Sequence, residues 1–390
     1  MDIEYLHLYV KNAPLWRDWF VEKLTFQPLS THPLNGLSEF ALQSGQILIL
    51  ISSEQTGNPA VKPFLHHYAE GVADVAFRVR HLDGIVAQVQ RAGGQLTHPV
   101  QSQESPTGDF RWCQIQGWGS VSHTLIEFDQ PPEKPIDPWA ASQGSRVSEV
   151  LDLAGAGGNA LPCDGASFVE TEPEAEAPDL PWLSIDHAVL NVPVGELEPA
   201  VTWYETHLGF VRQQQFAIAT AQSGLRSFVL KHPEGSATLP INEPTSQNSQ
   251  IQEFLDLNRG AGIQHVALQT TSLVKTVARL RQRGVPFLSV PSTYYEELQT
   301  RPGFWHEAGD WEAIAQQQIL VDWPPEEPQT RLLQTFMQPL FERPTFFWEL
   351  IERQTKVTPA GIKRAEGFGA GNFQALFEAI EREQQQRGSL

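Results

Sequence analysis

The strongest constraint on the fold is an internal repeat that runs through both halves of the chain. In each half, a strand-like segment is followed by a helix, by further strand-like segments and by a second helix that ends at glycine. Fixed-period similarity indicates that one structural unit has been duplicated. We therefore predict an α+β fold of two tandem domains, each built from duplicated strand–helix–three-strand (βαβββ) units that form a curled, open sheet. Three pairs of polar residues align in this repeat: His7 with His187, Asp74 with His265, and Glu127 with Glu349.

A segment of different composition separates the two halves of the chain. Residues 131–181 are rich in Pro, Gly, Ala, Asp and Glu, which is typical of a connector. We predict a first domain over residues 1–130, a linker over 131–181 and a second domain over 182–390. The predicted strands are residues 3–10, a hairpin over 40–51, 72–79, 121–128, 185–192, 227–231, 237–244, 263–269, 319–323, 331–337 and 346–351. The predicted helices are residues 14–24, 82–92, 196–208, 251–257 and 272–283, with Ser272 as the N-cap of the last.

One carboxylate, Glu349, lies in a short aromatic strand among large apolar neighbours. A buried carboxylate needs an ion pair, hydrogen bonds or a metal. His187 and His265 lie on two earlier strands and are candidate partners. Two histidines and one carboxylate form the facial triad that holds non-haem Fe(II) with open positions, and a set without thiolate also suits Mn(II) or Co(II). The alternative is that all three are buried polar residues that serve only the sheet.

The C-terminal segment predicts an amphipathic helix over residues 372–387, with Asn372 as its N-cap. Its apolar stripe has helical spacing, and glycines at 367, 369 and 371 precede it. We predict that this helix, which is entered through glycines, is a lid over the site; the alternative is a docked terminal helix that does not move. The stripe consists of Phe373, Leu376, Phe377 and Ile380.

Charge and cysteine content exclude several classes of protein. The 390-residue chain has a net charge of −19 and no compensating basic block, which opposes binding to nucleic acid or to an anionic membrane surface. The longest apolar run, residues 47–51, is too short to span a bilayer, and the start lacks the features of a signal peptide. Cys113 and Cys163 are too few for a disulfide framework or a cysteine zinc site. A cytoplasmic protein is expected.

The second half resembles the 4-hydroxyphenylpyruvate dioxygenase family of the vicinal-oxygen-chelate superfamily, whereas the first half resembles it only in outline. The matching segments cover most of residues 184–390. They are residues 225–227, 239–244, 249–253, 260–268, 287–295, 332–336, 343–347 and 367–373.

The resemblance implies Fe(II) held by His187, His265 and Glu349, and a first domain without catalytic metal. The implied reaction converts 4-hydroxyphenylpyruvate and O₂ to homogentisate and CO₂, by oxidative decarboxylation, ring hydroxylation and side-chain migration. Such a product serves tyrosine catabolism or the supply of prenylquinone and tocopherol precursors. The resemblance also implies a homo-oligomer, either a dimer or a tetramer.

Further roles carry over from the matching segments as implications of the resemblance. The polar residues that would orient the substrate and its phenol are Ser227, Asn242, Gln250, Gln264 and Gln334. The aromatic residues that would wall the substrate pocket are Phe336, Phe347, Phe368 and Phe373, with Phe336 and Phe373 sandwiching the ring.

Other readings stay open at this point. A 4-hydroxymandelate synthase would use the same substrate and metal but oxidise the benzylic carbon. An extradiol ring-cleaving dioxygenase shares the superfamily and the triad, and a metal-free binding protein would share only the fold. The set His7, Asp74 and Glu127 is interpreted as a structural remnant of the repeat, and binding of a second metal there is the alternative.

Overall fold

The computed structural model describes residues 1–30, 33–34, 37–38, 40–56, 58–103, 109–130, 180, 182–220, 223–304, 308–358 and 361–388. The predicted linker, residues 131–181, lies outside the described residues except for Leu180, which is buried. The domain boundaries therefore stay a prediction.

The first half forms an eight-stranded sheet in the order β2-β5-β6-β1-β7-β10-β9-β8, beside a small hairpin of β3 and β4. Two pairings are parallel, β1 with β6 and β7 with β10, and each joins a strand to one that comes later in the chain after a helix or hairpin. The strands are β1 (Asp2–Tyr9), β2 (Gln27–Ser30), β3 (Pro33–Leu34), β4 (Leu37–Ser38), β5 (Phe40–Ser44), β6 (Ile47–Ser52), β7 (Gly71–Arg78), β8 (Leu96–Gln103), β9 (Phe110–Gln116) and β10 (Ser122–Phe128).

The second half repeats this plan with the order β12-β13-β14-β11-β15-β18-β17-β16, followed by a separate hairpin of β19 and β20. The predicted α+β fold of two curled sheets with a C-terminal helix is thus confirmed. The strands are β11 (Trp182–Asn191), β12 (Val211–Ala219), β13 (Gly224–Lys231), β14 (Thr238–Pro244), β15 (Gly262–Thr270), β16 (Leu320–Asp322), β17 (Leu332–Phe336), β18 (Phe347–Arg353), β19 (Thr355–Thr358) and β20 (Gly361–Arg364).

Helices connect the strands, and several of them pack against the two sheets. They are α1 (Ala13–Leu24), α2 (Val61–His67), α3 (Leu82–Arg91), α4 (Leu197–Leu208), α5 (Gln250–Asn258), α6 (Leu273–Gln282), α7 (Ser292–Gln299), α8 (Ala308–Gln316) and α9 (Ala370–Arg387). None of the helices within the described ranges is both long and apolar enough to cross a bilayer.

One hydrophobic core runs through both halves, so the two sheets pack as one body. Its largest fully buried side chains come from both halves and include Phe20, Phe77, Tyr204 and Trp348. Polar contacts add to this packing: His123 Nε2 lies 3.0 Å from the Tyr204 hydroxyl across the boundary.

The residue that matches Glu127 in the second half is Glu352. Each of these carboxylates accepts a hydrogen bond from the first backbone N–H of a helix: Leu82 N donates to Glu127 at 3.2 Å, and Leu273 N donates to Glu352 at 2.6 Å. The sequence alignment of Glu127 with Glu349 was therefore wrong by three residues. Ser272 is the N-cap residue of α6 as predicted, but its side chain makes no capping bond, and Glu352 accepts from Leu273 N instead.

The residue that matches His187 in the first half is Tyr5. In the β1–β7 pair Tyr5 lies opposite Ala76, and in the β11–β15 pair His187 lies opposite Ala267, the matching position of the repeat. The alignment of His7 with His187 was therefore wrong by two residues. The error arose because it matched one histidine to another rather than following the register of the strands.

Candidate metal centre

Three buried side chains from adjacent strands converge on one point. His187 of β11, His265 of β15 and Glu349 of β18 each offer a ligand atom, and these atoms lie within 4.8 Å of one another. His187 Nε2 is 3.3 Å and His265 Nε2 is 3.5 Å from Glu349 Oε2. Each residue is less than 5% exposed. The strand order places β15 between β11 and β18, which is why residues so distant in sequence meet.

The charges at this point favour a bound cation. Burial alone would lower the pKa of His187, but the Glu349 carboxylate raises it to about 9. Burial alone would raise the pKa of Glu349, but His187 lowers it to about 2. Burial lowers the pKa of His265. The buried Glu349 carboxylate thus stabilises a positive charge at His187. A metal cation bound by the two histidine nitrogens and the carboxylate oxygen would supply that positive charge instead.

Neighbouring side chains orient two of the three ligands. Asp186 Oδ1 lies 2.9 Å from His187 Nδ1, which leaves Nε2 free to face Glu349. Gln334 Nε2 donates to Glu349 Oε1 at 2.8 Å, which leaves Oε2 for the centre. His265 is held by a ring instead of a hydrogen bond: it stacks on Phe347 with centroids 4.9 Å apart, and its buried Nδ1 has no partner. The donor set and its supports fit a divalent metal.

The triad lines a narrow cavity that is partly open to solvent. Two of its polar atoms, Ser227 Oγ and Asn242 Oδ1, are buried without a hydrogen-bond partner. Buried polar atoms are normally satisfied by protein or ordered water, so these two are available to hydrogen-bond a water or a polar ligand in the cavity. Besides the triad, the lining residues are Val189, Phe216, Ser227, Val229, Pro240, Asn242, Gln334, Phe336, Phe368, Phe373 and Leu376.

Six of the nine sequence-predicted substrate residues therefore line this cavity, and three do not. Phe347 lies behind His265 rather than in the wall. Gln264 is buried on β15 next to His265, and Gln250 is buried at the start of α5 with its Oε1 unpartnered. Since successive side chains of a strand point to opposite faces, Gln264 and His265 face different ways.

The C-terminal helix closes one side of the cavity. Phe373 and Leu376 of α9 line it, and Phe377 packs on Ile218 and Leu225 of the sheet. The helix begins at Ala370, so Asn372 is not its N-cap as predicted. Asn372 is instead fully buried, and its Nδ2 donates to Gln334 Oε1 at 2.8 Å.

Sequence reasoning missed the supporting roles of Asp186 and Asn372. Asp186 is buried and accepts both hydrogen bonds of the Arg353 fork, each at 2.7 Å. Burial alone would raise the pKa of Asp186, but Arg353 and His187 hold it well below its usual range. The available signal was an acidic residue directly before a candidate histidine ligand in an otherwise apolar strand.

In the first half, the positions equivalent to the three ligands carry other residue types. Tyr5, Asp74 and Thr124 occupy the positions of the triad, and Thr124 Oγ1 donates to Asp74 Oδ2 at 2.8 Å. Burial raises the pKa of Asp74 to about 7. His7 instead lies 2.9 Å from Ser52 through its Nε2. Within the described residues, the triad of the second half is the only cluster of at least three His, Cys, Asp or Glu ligand atoms that could hold a metal.

The sequence of this chain is similar to those of known proteins. Residues 184–315 match the Glyoxalase/Bleomycin resistance protein/Dioxygenase superfamily. The 4-hydroxyphenylpyruvate dioxygenase of Caenorhabditis briggsae is 33% identical over 401 residues, which cover 99% of this chain and 93% of that protein. A Synechocystis protein described as "Uncharacterized protein slr0090" is 32% identical over 388 residues, 98% of this chain and 97% of that protein.

Among solved structures, a mutant of 4-hydroxymandelate synthase from Streptomyces coelicolor has the same fold. Its TM-score is 0.75 with 23% identity, and the match covers 98% of both chains. At this identity the likeness concerns the fold alone.

Proposed function

The chain belongs to the 4-hydroxyphenylpyruvate dioxygenase family, and from that premise we propose that it converts 4-hydroxyphenylpyruvate and O₂ to homogentisate and CO₂. The observation that carries the proposal is the buried triad of His187, His265 and Glu349, open to a cavity lined with aromatic rings and unpartnered neutral polar atoms. The equation balances without any further reactant, because the lost carboxyl group accounts for the CO₂ and both O₂ atoms are incorporated into products.

The metal of this proposal is Fe(II), bound by His187 Nε2, His265 Nε2 and Glu349 Oε2. Fe(II) bound there would activate O₂ for reaction with the 2-oxo acid; because it would end the cycle as Fe(II), the electrons that reduce O₂ come overall from the substrate, which is oxidatively decarboxylated and hydroxylated. Three protein ligands leave coordination positions open for small molecules. Asp186 and Gln334 keep the ligand atoms of His187 and Glu349 turned to the centre.

The chain's own residues place and shield the substrate. Phe336 and Phe373, both in the cavity wall, provide faces and edges for an aromatic ring. Ser227 Oγ and Asn242 Oδ1 offer hydrogen bonds to a phenol without adding charge beside the metal. Helix α9 places the apolar side chains of Phe373 and Leu376 in the cavity wall, which limits the access of water to the metal position.

Gln334 has a more restricted part than the sequence resemblance implies. Its Nε2 donates to Glu349, and its Oε1 accepts from Asn372. We assign it to holding the carboxylate, with one amide hydrogen left for a ligand. Gln250 and Gln264 are buried but do not line the cavity, and Gln264 faces the other side of β15 from His265, so their part in substrate orientation stays a prediction of the sequence resemblance.

The test is anaerobic reconstitution with Fe(II), followed by O₂ uptake with 4-hydroxyphenylpyruvate and identification of the aromatic product. We expect homogentisate with one CO₂ released for each O₂ consumed. Hydroxymandelate as the product would instead identify a 4-hydroxymandelate synthase, and ring opening of catechols would identify an extradiol enzyme. Protein that binds the substrate equally well without metal and after His265→Ala would be a metal-free binding protein.

A further inference from the structure

Asp186 supports the metal centre from behind His187. Its side chain is 9% exposed, and its Oδ1 lies 2.9 Å from His187 Nδ1. A hydrogen bond at Nδ1 fixes both the tautomer and the plane of the imidazole, so that Nε2 presents its lone pair to the metal position. His265 has no such bond at its own Nδ1. Of the two histidine ligands, His187 is therefore the one whose ring orientation depends on a charged neighbour, Asp186.

Arg353 holds Asp186 in place. It lies on β18, the strand that also carries Glu349, and its side chain is 10% exposed. Nε donates to Asp186 Oδ2 and Nη2 donates to Asp186 Oδ1, both at 2.7 Å. A two-bond fork fixes the carboxylate in plane as well as in distance, which a single ammonium cannot do.

The remaining nitrogen of the same guanidinium reaches the segment that leads into α9. Arg353 Nη1 donates to Gly367 O at 2.8 Å and to Ala365 O at 3.4 Å. Gly367 and Gly369 both have left-handed backbone, with φ of 77° and 61°, which favours glycine. Between them, Phe368 lies edge-on to His187 with centroids 4.9 Å apart, and it lines the cavity.

We propose that Asp186 and Arg353 are positioning residues that couple the metal ligand His187 to the seating of the C-terminal helix. One guanidinium holds the aspartate that orients His187 and also the backbone that places Phe368 and starts α9. Coupling of this kind is reciprocal. Metal binding strengthens the seating of residues 367–388, and loosening that segment weakens metal binding. The inference rests on the metal site of the proposed function but on no particular substrate.

A purely structural ion pair predicts a different pattern. It would lower the overall stability when broken and would leave metal affinity and local protection of α9 unchanged in the molecules that remain folded. Both readouts are therefore measured on folded, metal-depleted protein. Co(II) is the probe, with its dissociation constant obtained by competition with a chelator, and hydrogen exchange of residues 361–388 is followed with and without Co(II).

For Arg353→Gln we expect Co(II) binding to weaken by about 10- to 100-fold, the usual cost of losing an outer support of a metal ligand. We also expect α9 to exchange faster, and Co(II) to protect it less than in the parent protein. The matched control is Arg364→Gln. Arg364 Nη2 is 3.9 Å from the same Asp186 oxygen, and its side chain is 45% exposed, so its loss should change Co(II) binding by less than about twofold.

Asp186→Asn and Arg353→Lys guard against a variant that fails to fold. Asn keeps an acceptor for His187 but loses the charge, and Lys keeps the charge but loses the fork. Both should show the same two effects to a smaller degree, with far-UV circular dichroism as the check on folding. Parent-like Co(II) affinity and parent-like protection of α9 in the folded variants would overturn the coupling. If the parent binds Co(II) but its Fe(II) form does not turn over 4-hydroxyphenylpyruvate, the proposed function fails while the coupling is still decided by these measurements.

Discussion

Asn372 donates from Nδ2 to Oε1 of Gln334 over 2.8 Å, which joins the C-terminal helix to the residue that holds Glu349. The same Nδ2 is 3.2 Å from Leu332 O, and Asn372 Oδ1 accepts from the Tyr294 hydroxyl at 3.2 Å. All the polar atoms of the Asn372 side chain are thus engaged in a buried setting. Helix α9 is fixed to the sheet by hydrogen bonds as well as by its apolar stripe.

Replacement of Asn372 by Ala should destabilise the protein. It leaves the buried Oε1 of Gln334 without its donor, which costs about 1–3 kcal/mol. The measurement is the free energy of unfolding from denaturant titration. Gln374→Ala is the control, because Gln374 is half-buried on the same helix and its Nε2 donates to Glu378 Oε1 one turn later, at 2.8 Å. Equal effects of the two substitutions would mean that the contact with Gln334 contributes nothing.

Removal of the carboxylate in Glu349→Gln should abolish tight metal binding, because a neutral amide cannot balance the charge of a divalent cation between two neutral imidazoles. Elemental analysis of reconstituted protein should give one metal for each parent chain and none for the variant. Asp74→Asn, at the matching point of the first half, should keep one metal per chain. A parent chain that holds two metals would show that the first half also binds one.

Replacement of Phe373 by Ala should weaken substrate binding. The lost ring contacts are worth about 0.5–1.5 kcal/mol, or roughly 2- to 12-fold in the dissociation constant. The measurement is anaerobic calorimetry of 4-hydroxyphenylpyruvate with Fe(II)-loaded protein. Gln374→Ala, at the next position of α9 but outside the cavity lining, should bind the substrate as the parent does. An unchanged affinity in Phe373→Ala would remove Phe373 from the binding site.

His123 should make the protein less stable in mild acid. Burial lowers its pKa to about 4, from an ordinary value of 6.5. Between pH 6.5 and pH 4, His123 is protonated in the unfolded chain but neutral in the folded chain. The free energy of unfolding therefore falls as pH decreases from about 6.5 to about 4, by up to about 3 kcal/mol. The neutral variant His123→Gln should lack this component. The difference between the two unfolding curves, measured from pH 8 to pH 4, should therefore shrink as pH falls, and a constant difference would show that His123 titrates normally.

Gly119 should tolerate no side chain, because it lies where the halves meet. Its φ is 64°, and an added Cβ would lie 2.7 Å from Ala261 O of the second half. Gly93→Ala is the matched control, since φ is 84° there but no atom lies within 4 Å of the added Cβ. Both variants incur backbone strain of about 1–3 kcal/mol, and Gly119→Ala should lose stability beyond that. Equal losses in thermal unfolding would mean that the halves can separate at this point without cost.

The central strands and the triad could be predicted because their sequence signals are strong. Strands such as β15 are buried on both faces, and in β15 the polar pair Gln264 and His265 is followed by the apolar run of residues 266–268. Strands β8 and β12 were missed because they form the outer edges of the sheets: β12 is mostly exposed, and β8 contains Pro99. An edge strand needs no apolar alternation, so the sequence carries little trace of it.

The register of the repeat could not be read from residue identity. Bulges interrupt β1 between His7 and Leu8 and β11 between Val189 and Leu190, and one shifted residue exchanges the faces of a strand. The bonds of Asp186 with Arg353 and of Asn372 with Gln334 could not be read from the sequence either, since the two partners are more than thirty residues apart in the chain. Only the folded structure shows that one aspartate and one asparagine connect the ligands to the helix.

The corrected register gives this molecule an internal reference. Tyr5, Asp74 and Thr124 stand where the other half has its ligands, in a sheet of the same strand order within the same chain. In a residue-resolved experiment on metal loading, the signal changes measured in β1, β7 and β10 can therefore be subtracted from those measured in β11, β15 and β18. Changes that affect both sheets equally cancel in this comparison, so a remaining difference between the matched strands reports on the sheet that carries the ligands.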